Sequence, residues 1–236
     1  MNATEDLPPK SGAASGLQAR YYPVFLDVAG RRCVVIGGGE VAERKVEMLL
    51  ACGAEVTVVS PQMTPRLAFL SQQGSIHHEK REFFLSCLEG AFLVIGATDD
   101  ENVNHAVWRE GQSRHLLVNV VDAPELCNFI APAVFQQGDL LISISTSGKS
   151  PALAKRIRQD LESRYGSEYA EFLKILGDMR ERVFSAVPQV EQRKEVFERL
   201  VVSEILDLLR QGNSAEARRR AEEIVRQAVE SARGKG

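Results

Sequence analysis

The six residues Gly37-Gly38-Gly39-Glu40-Val41-Ala42 constrain this chain more than any other stretch. They follow an apolar run, Arg32-Cys33-Val34-Val35-Ile36, and open a segment over 40–52 that mixes charges with Val41, Met48, Leu49 and Leu50 on one side of a helical wheel. An apolar run ended by glycines reads as a buried parallel strand. Gly53 fits a helix stop, and Glu55-Val56-Thr57-Val58-Val59-Ser60 is a second, β-branched strand. Residues 32–60 therefore predict a βαβ unit whose first turn has the spacing G-x-G-x-x-A. The first glycine permits the tight turn, the second lets a pyrophosphate approach the backbone, and the small Ala42 lets helix and strand pack closely. The free N–H groups of the helix start suit phosphates. The acid expected at the end of the second strand is absent; Ser60, Pro61 and Gln62 stand there. Ser60 or Gln62 can reach a ribose hydroxyl, and Arg66, the nearest later cation, leaves a 2′-phosphate open.

The alternation continues. Helices are expected over 67–73 and 101–113, the latter with Val103, Ala106 and Val107 inward, and strands over 76–80, 92–97 and 116–121. Short apolar strands alternating with helices predict an α/β fold, a Rossmann-type doubly wound parallel sheet. After Pro132 the texture changes. Residues 140–146 alternate like a lone half-buried strand, and pairing with a second subunit would satisfy its backbone groups. A basic helix follows over 152–165. The rest is helical, with breaks near Pro188 and Gly212-Asn213, and residues 215–236 read as a peripheral helix. Residues 1–20, rich in Gly, Ala, Ser and Pro, read as a disordered tail.

Composition narrows the classes. Hydrophobic residues make up 44% and charged residues 26%, an ordinary globular mix. Net charge is −3, which gives no global electrostatic case for nucleic acid. No apolar run approaches a membrane span, and the first twenty residues hold no secretory h-region. The cysteines Cys33, Cys52, Cys87 and Cys127 form no CxxC pair, so a zinc site is not expected, and a reducing cytoplasm fits best. Cys33 and Cys52 are expected to pack as small hydrophobes. His77 and His78 are adjacent and would point to opposite faces of an extended segment, His105 and His115 are isolated, and no metal site is expected.

Some polar residues stand where chemistry is done. Asp122 follows a predicted strand, and carboxyl ends of strands line the ligand crevice of such sheets. It is either a turn residue or a general base. Asp99 or Asp100 is expected to cap the next helix. Gly148-Lys149-Ser150 resembles the end of a P-loop, but Ser143 stands where its first glycine belongs, which excludes ATP binding there. The turn Ser145–Ser150 before Pro151 is either an ordinary capped helix start or a binder of carboxylate or phosphate, with Lys149 adding charge.

Tyr22-Pro23-Val24-Phe25-Leu26, Val35 to Lys45, Ala97-Thr98-Asp99-Asp100, Asn119-Val120-Val121-Asp122 and Ser147-Gly148-Lys149-Ser150-Pro151 occur in one order. That order resembles the precorrin-2 dehydrogenase family, some of whose members are also sirohydrochlorin ferrochelatases and which includes the N-terminal module of siroheme synthases. The resemblance runs from about Tyr21 to Tyr165. It implies a Rossmann domain (21–131), a small dimerisation segment that exchanges structure with a partner (132–164) and a helical C-terminal domain (165–236). It implies a cytoplasmic homodimer that oxidises precorrin-2 to sirohydrochlorin with NAD; some members then insert Fe2+. Carried over by motif, Gly37, Gly39, Glu40 and Val41 would line NAD, with Ser60, Pro61 and Gln62 near the adenosine ribose and Thr98 near the bound cofactor. Asp122 matches the catalytic aspartate. Thr146, Ser147, Lys149 and Ser150 would face the anionic tetrapyrrole. A non-catalytic NAD(H)-sensing regulator is the alternative; it would need the dinucleotide turn but neither Asp122 nor the basic turn.

Overall fold

The computed structural model describes residues 21–233, so the tail expected over 1–20 lies outside the described residues. The chain divides between Ala131 and Pro132 into two compact units.

In the first unit, β1 (Arg32–Ile36), β2 (Glu55–Val59), β3 (His77–Glu79), β4 (Leu93–Gly96) and β5 (Leu117–Val120) form one sheet in the order β3-β2-β1-β4-β5. Every pairing is parallel. Helices α1 (Glu40–Ala51), α2 (Pro65–Gln72) and α3 (Glu101–Ser113) follow β1, β2 and β4. Strands β1, β2, β4 and β5 are buried on both faces, while the edge strand β3 is partly exposed. Val35, Val58 and Ile95 pack with Ala42, Val46, Leu49 and Leu67, while Val34, Ile36, Val94 and Val118 pack with Leu88, Val107 and Leu126. Burial on both faces explains why the strands read as continuous apolar runs. Chain order reverses between β1 and β4, which places a ligand crevice at the carboxyl ends of the strands there.

The helix faces correct the expectation from the helical wheel. α1 buries Ala42, Val46 and Leu49, a stripe at helical spacing, whereas Met48 is 49% exposed. α3 buries Asn104, Val107 and Gly111, with Val103 and Ala106 only half buried. Cys33 is buried in β1, but Cys52 caps the end of α1 and is exposed, so it does not pack as a hydrophobe. Asp100 caps α3, its Oδ1 accepting from the N–H groups of Asn102 and Val103.

In the second unit, β6 (Ala133–Gln137) and β7 (Leu140–Ile144) form an antiparallel hairpin. The strand expected to stand alone therefore has a partner within its own chain. The turn between them, Gly138-Asp139, carries Gly138 at φ +59°, the left-handed backbone that two-residue hairpins require. Helices α4 (Pro151–Arg164), α5 (Glu168–Ala186), α6 (Val190–Val202), α7 (Ile205–Arg210) and α8 (Ser214–Arg233) follow. Phe172, Ile175, Met179, Leu200, Ile205 and Ile224 build their core. α8 is not peripheral. Its Ala217 and Ala221 are wholly buried beside Ile224 and Val225, because alanines let helix backbones approach closely. Among the described residues no helix is long and apolar enough to cross a membrane.

Candidate dinucleotide-binding site

The turn after β1 is held by its neighbours on both sides. The Gly37 N–H donates to the Val59 carbonyl at 3.0 Å, and the Ala97 N–H donates to the Ile36 carbonyl at 2.8 Å. Gly37 has φ +119°, and a Cβ there would stand 2.1 Å from the Ala97 carbonyl oxygen. A Cβ on Gly38 would stand 1.9 Å from the Gln62 carbonyl oxygen. Both positions thus exclude a side chain on packing grounds alone. Gly39 differs: a Cβ there would meet nothing within 4 Å. The third glycine faces open space.

That open space lies at the start of α1. Gly39 caps the helix with no side-chain hydrogen bond, so the first N–H groups, at Glu40 and Val41, have no partner inside the helix. An anion with a thin profile fits such a position. Glu40 is exposed and Val41 half buried. These residues fit a dinucleotide pyrophosphate.

The loop after β2 braces this turn. Thr64 N–H donates to the Gly38 carbonyl at 2.9 Å, and Thr64 Oγ1 donates to the Glu43 carboxylate on α1 while accepting from Leu67 N–H to cap α2. Ser60 is 8% exposed, and its hydroxyl donates to the Gln62 carbonyl at 2.6 Å. Its proton is therefore committed to the loop. Pro61 and Gln62 are exposed beside it. A cavity of about 430 Å³ lies between the starts of α1 and α2, lined by Glu40, Glu43, Arg44, Thr64, Pro65 and Arg66. Arg66 is paired with Glu47 at 2.9 Å.

Thr98 lies half buried after β4, its Oγ1 accepting from the Asp100 N–H. Asn104 donates to the Thr98 carbonyl at 3.0 Å and shapes that turn. Asp122 lies just past β5, exposed, with φ +60°. A left-handed backbone is uncommon for a residue with a Cβ. Such outliers concentrate where the surroundings hold a group in place for a purpose. Lys45 on α1 lies half buried in the field of Asp122. Burial, and then Arg44, push its pKa below the usual lysine range, while Asp122 and Cys127 pull it back up. Gly37, Gly39, Glu40, Val41, Ser60, Pro61, Gln62, Thr98 and Asp122 thus all lie at the carboxyl edge of one sheet.

In the second unit the turn before α4 spends its acceptors internally. Ser145 Oγ accepts from Ser147 N–H, Thr146 Oγ1 from Ser150 N–H, and Ser150 Oγ caps α4 through Leu153 N–H. Each of these hydroxyls keeps its own proton to donate. Ser147 has φ +52°, Gly148 has φ +79°, and Lys149 is exposed.

Sequence reasoning gave no site role to Asn104, Asn119, Cys127 or Asn128. Asn128 serves the free edge of β5: its Oδ1 accepts from Val118 N–H at 2.7 Å and its Nδ2 donates to the Leu116 carbonyl at 2.7 Å. An amide that imitates a strand leaves no local pattern. Its signal was a polar residue amid Leu126, Cys127 and Phe129.

The sheet order, the glycine turn and the open helix start define a dinucleotide-binding Rossmann domain. Comparison with known proteins agrees. A family model described as NAD(P)-binding matches residues 24–133, one for the sirohaem biosynthesis protein central region matches 137–164, and one for the sirohaem synthase dimerisation region matches 168–225. A siroheme synthase of Methylobacillus flagellatus is 42% identical over 188 residues, 78% of this chain and 40% of its own length. Siroheme synthase 1 of Serratia proteamaculans is 36% identical over 214 residues, 91% of this chain and 45% of its own length. This chain thus spans less than half the length of these curated relatives. A solved structure of SirC, a precorrin-2 dehydrogenase, is similar with a TM-score of 0.73 and 28% identity, covering 86% of this chain and all of that one. Three successive stretches over 24–225 thus match these models in order, and the chain is similar along most of its length to siroheme synthases and to a precorrin-2 dehydrogenase.

Proposed function

We propose that this protein oxidises precorrin-2 to sirohydrochlorin with NAD, as a cytoplasmic homodimer. The observation that carries the reading is Asp122. It is an exposed carboxylate on a left-handed turn, at the same sheet edge as the open glycine turn. The oxidation removes a hydride and a proton from the tetrapyrrole. Bound NAD supplies the hydride acceptor. Gly37, Gly39, Glu40 and Val41 seat its pyrophosphate, and Pro61, Gln62 and the backbone around Ser60 border the adenosine ribose. Thr98 borders the cofactor further along the edge. Asp122 takes the proton on its carboxylate. Lys149 and the hydroxyl protons of Thr146, Ser147 and Ser150 suit the carboxylates of the substrate. We assign residues 21–131 to cofactor binding, and 132–164 with 165–236 to subunit pairing and the substrate site. The resemblance of 168–225 to a sirohaem synthase dimerisation region supports pairing there.

The test is anaerobic mixing of the protein with enzymatically made precorrin-2 and NAD, followed by its visible spectrum. Conversion that requires NAD supports the reading. Asp122→Asn is expected to lower kcat by about 100-fold or more while NAD binding persists, the range of a lost general base. Activity like the wild type would remove Asp122 from the chemistry. Absence of conversion with either NAD or NADP, despite cofactor binding, would favour a sensor. The relatives' name, siroheme synthase, supports a second activity, insertion of Fe2+ as substrate into the product. Adding ferrous iron to the same tube tests it.

A further inference from the structure

We propose that Cys127 is a positioning residue for Asp122: its side chain clasps both ends of the left-handed turn that presents the carboxylate. The inference rests on the reading of Asp122 as the base. The Val120 N–H donates to Cys127 Sγ at 3.2 Å. The same sulfur lies 3.2 Å from the Val120 carbonyl oxygen and 3.2 Å from that of Ala123. Val120 and Ala123 flank the Val121-Asp122 pair, so the thiol touches the backbone before and after Asp122. One S–H proton serves one carbonyl at a time, and the Val120 N–H holds the sulfur within reach of both.

The clasp is itself held. Asn119 Nδ2 lies 3.6 Å from Cys127 Sγ and donates to the Phe129 carbonyl at 3.1 Å, fixing the returning segment against β5. Asn128, the next residue, bonds to Val118 and Leu116 through side chain and backbone. Cys127 is 6% exposed, and Asn119 is 8% exposed. A left-handed backbone is strained for a residue with a Cβ, least for Asp and Asn, and contacts at both ends of the turn fix where such a residue points. Here the thiol is the group that meets both ends of the turn. A carboxylate held to a fraction of an ångström matters, because a 1 Å misplacement of a reacting group costs about 100-fold in rate.

The test compares Cys127→Ala, Cys127→Ser and Cys127→Val in the full chain, each also combined with Asp122→Asn. Kinetics are read with precorrin-2 and NAD, cofactor affinity by NADH fluorescence, and the turn by hydrogen exchange at the Val120 amide. In Cys127→Ala we expect kcat to fall about 10- to 100-fold with KM and NADH affinity held within about threefold. Val120 amide exchange should speed up about tenfold or more as its acceptor is lost. Cys127→Ser keeps a donor and an acceptor, and should restore kcat to within about threefold of the wild type. In the Asp122→Asn background, Cys127→Ala should cost nothing further, since a residue that acts through the carboxylate has nothing left to position. Should Cys127→Ala fail to fold, Cys127→Val fills the space without bonding to the turn and is read in its place. Wild-type kcat in Cys127→Val, or an undiminished loss in the Asp122→Asn background, overturns the positioning role and leaves Asp122 as base. Full activity of Asp122→Asn alone overturns the base, and the positioning role with it.

Discussion

Three consecutive glycines do two different jobs, and substitution separates them. Gly37 and Gly38 each lie against a backbone carbonyl, at distances no Cβ can share. Gly39 lies against nothing. Gly38→Ala is expected to destabilise the first unit by about 1–3 kcal/mol, the usual cost of overpacking, because Gln62 carries the obstructing atom and is tied back to Ser60. Gly39→Ala should leave the melting temperature nearly unchanged but weaken NADH binding about tenfold or more, since a methyl group then occupies the approach of the pyrophosphate. Paired melting curves and fluorescence titrations check both. The cysteines make a second prediction at this scale. Burial, with a smaller contribution from Cys52, raises the Cys33 thiol from 9.0 to about 11. Between those values the unfolded chain releases a proton that the folded chain keeps, so the Cys33 contribution is intact below pH 9 and is lost as pH rises towards 11. Urea midpoints taken at steps across that window should fall less steeply in Cys33→Ala than in the wild type. Equal slopes would refute the assignment.

Elements show which signals a sequence carries and which it hides. The four central parallel strands, β1, β2, β4 and β5, were legible because burial on both faces leaves near-continuous apolar runs, and α1 because a glycine turn announces its start. β6 was missed. Its Ala133-Val134-Phe135-Gln136-Gln137 is short, mixed in polarity, and meaningful only opposite β7. α8 was misjudged as peripheral because alanines between charges look like a solvated surface, while in this fold Ala217 and Ala221 are contact positions. The helical faces of α1 and α3 were likewise set by which residues meet the sheet, and a small Ala42 or Gly111 there outranks a larger Met48 elsewhere. Of the candidate site, the glycine turn and Asp122 were legible from their places after strands. The bracing by Thr64, Asn104, Cys127 and Asn128 was not, because it joins residues whose pairing depends on tertiary register. Asn128 gives the element-scale prediction. Asn128→Ala strips two partners from the edge of β5 and should cost about 1–3 kcal/mol. Asn128→Asp keeps an acceptor for Val118 but sets an oxygen against the Leu116 carbonyl, so it should be no better. A denaturant midpoint equal to the wild type in either variant would show that water replaces the amide at that edge.

At the scale of the molecule, the chain keeps two hydrophobic cores in two units. One core flanks the parallel sheet and the other gathers α5 to α8. The cofactor turn belongs to the first unit, and the stretch that matches a dimerisation region belongs to the second. If dimerisation rests on the second unit, damage to its core should separate subunit pairing from cofactor binding. Leu200 is wholly buried on α6 among Met179, Ile205 and Ala221. Leu200→Ala removes about 2–5 kcal/mol by opening a cavity that close-packed helices fill only in part. The expected result is a shift from dimer to monomer in analytical ultracentrifugation, with NADH affinity within about threefold of the wild type. Turnover should fall with the dimer, because substrate contacts proposed for Thr146 and Lys149 lie in the damaged unit. Loss of NADH binding in step with the dimer would instead mean that the cofactor site is completed by the second subunit, and the glycine turn would then be only part of the site.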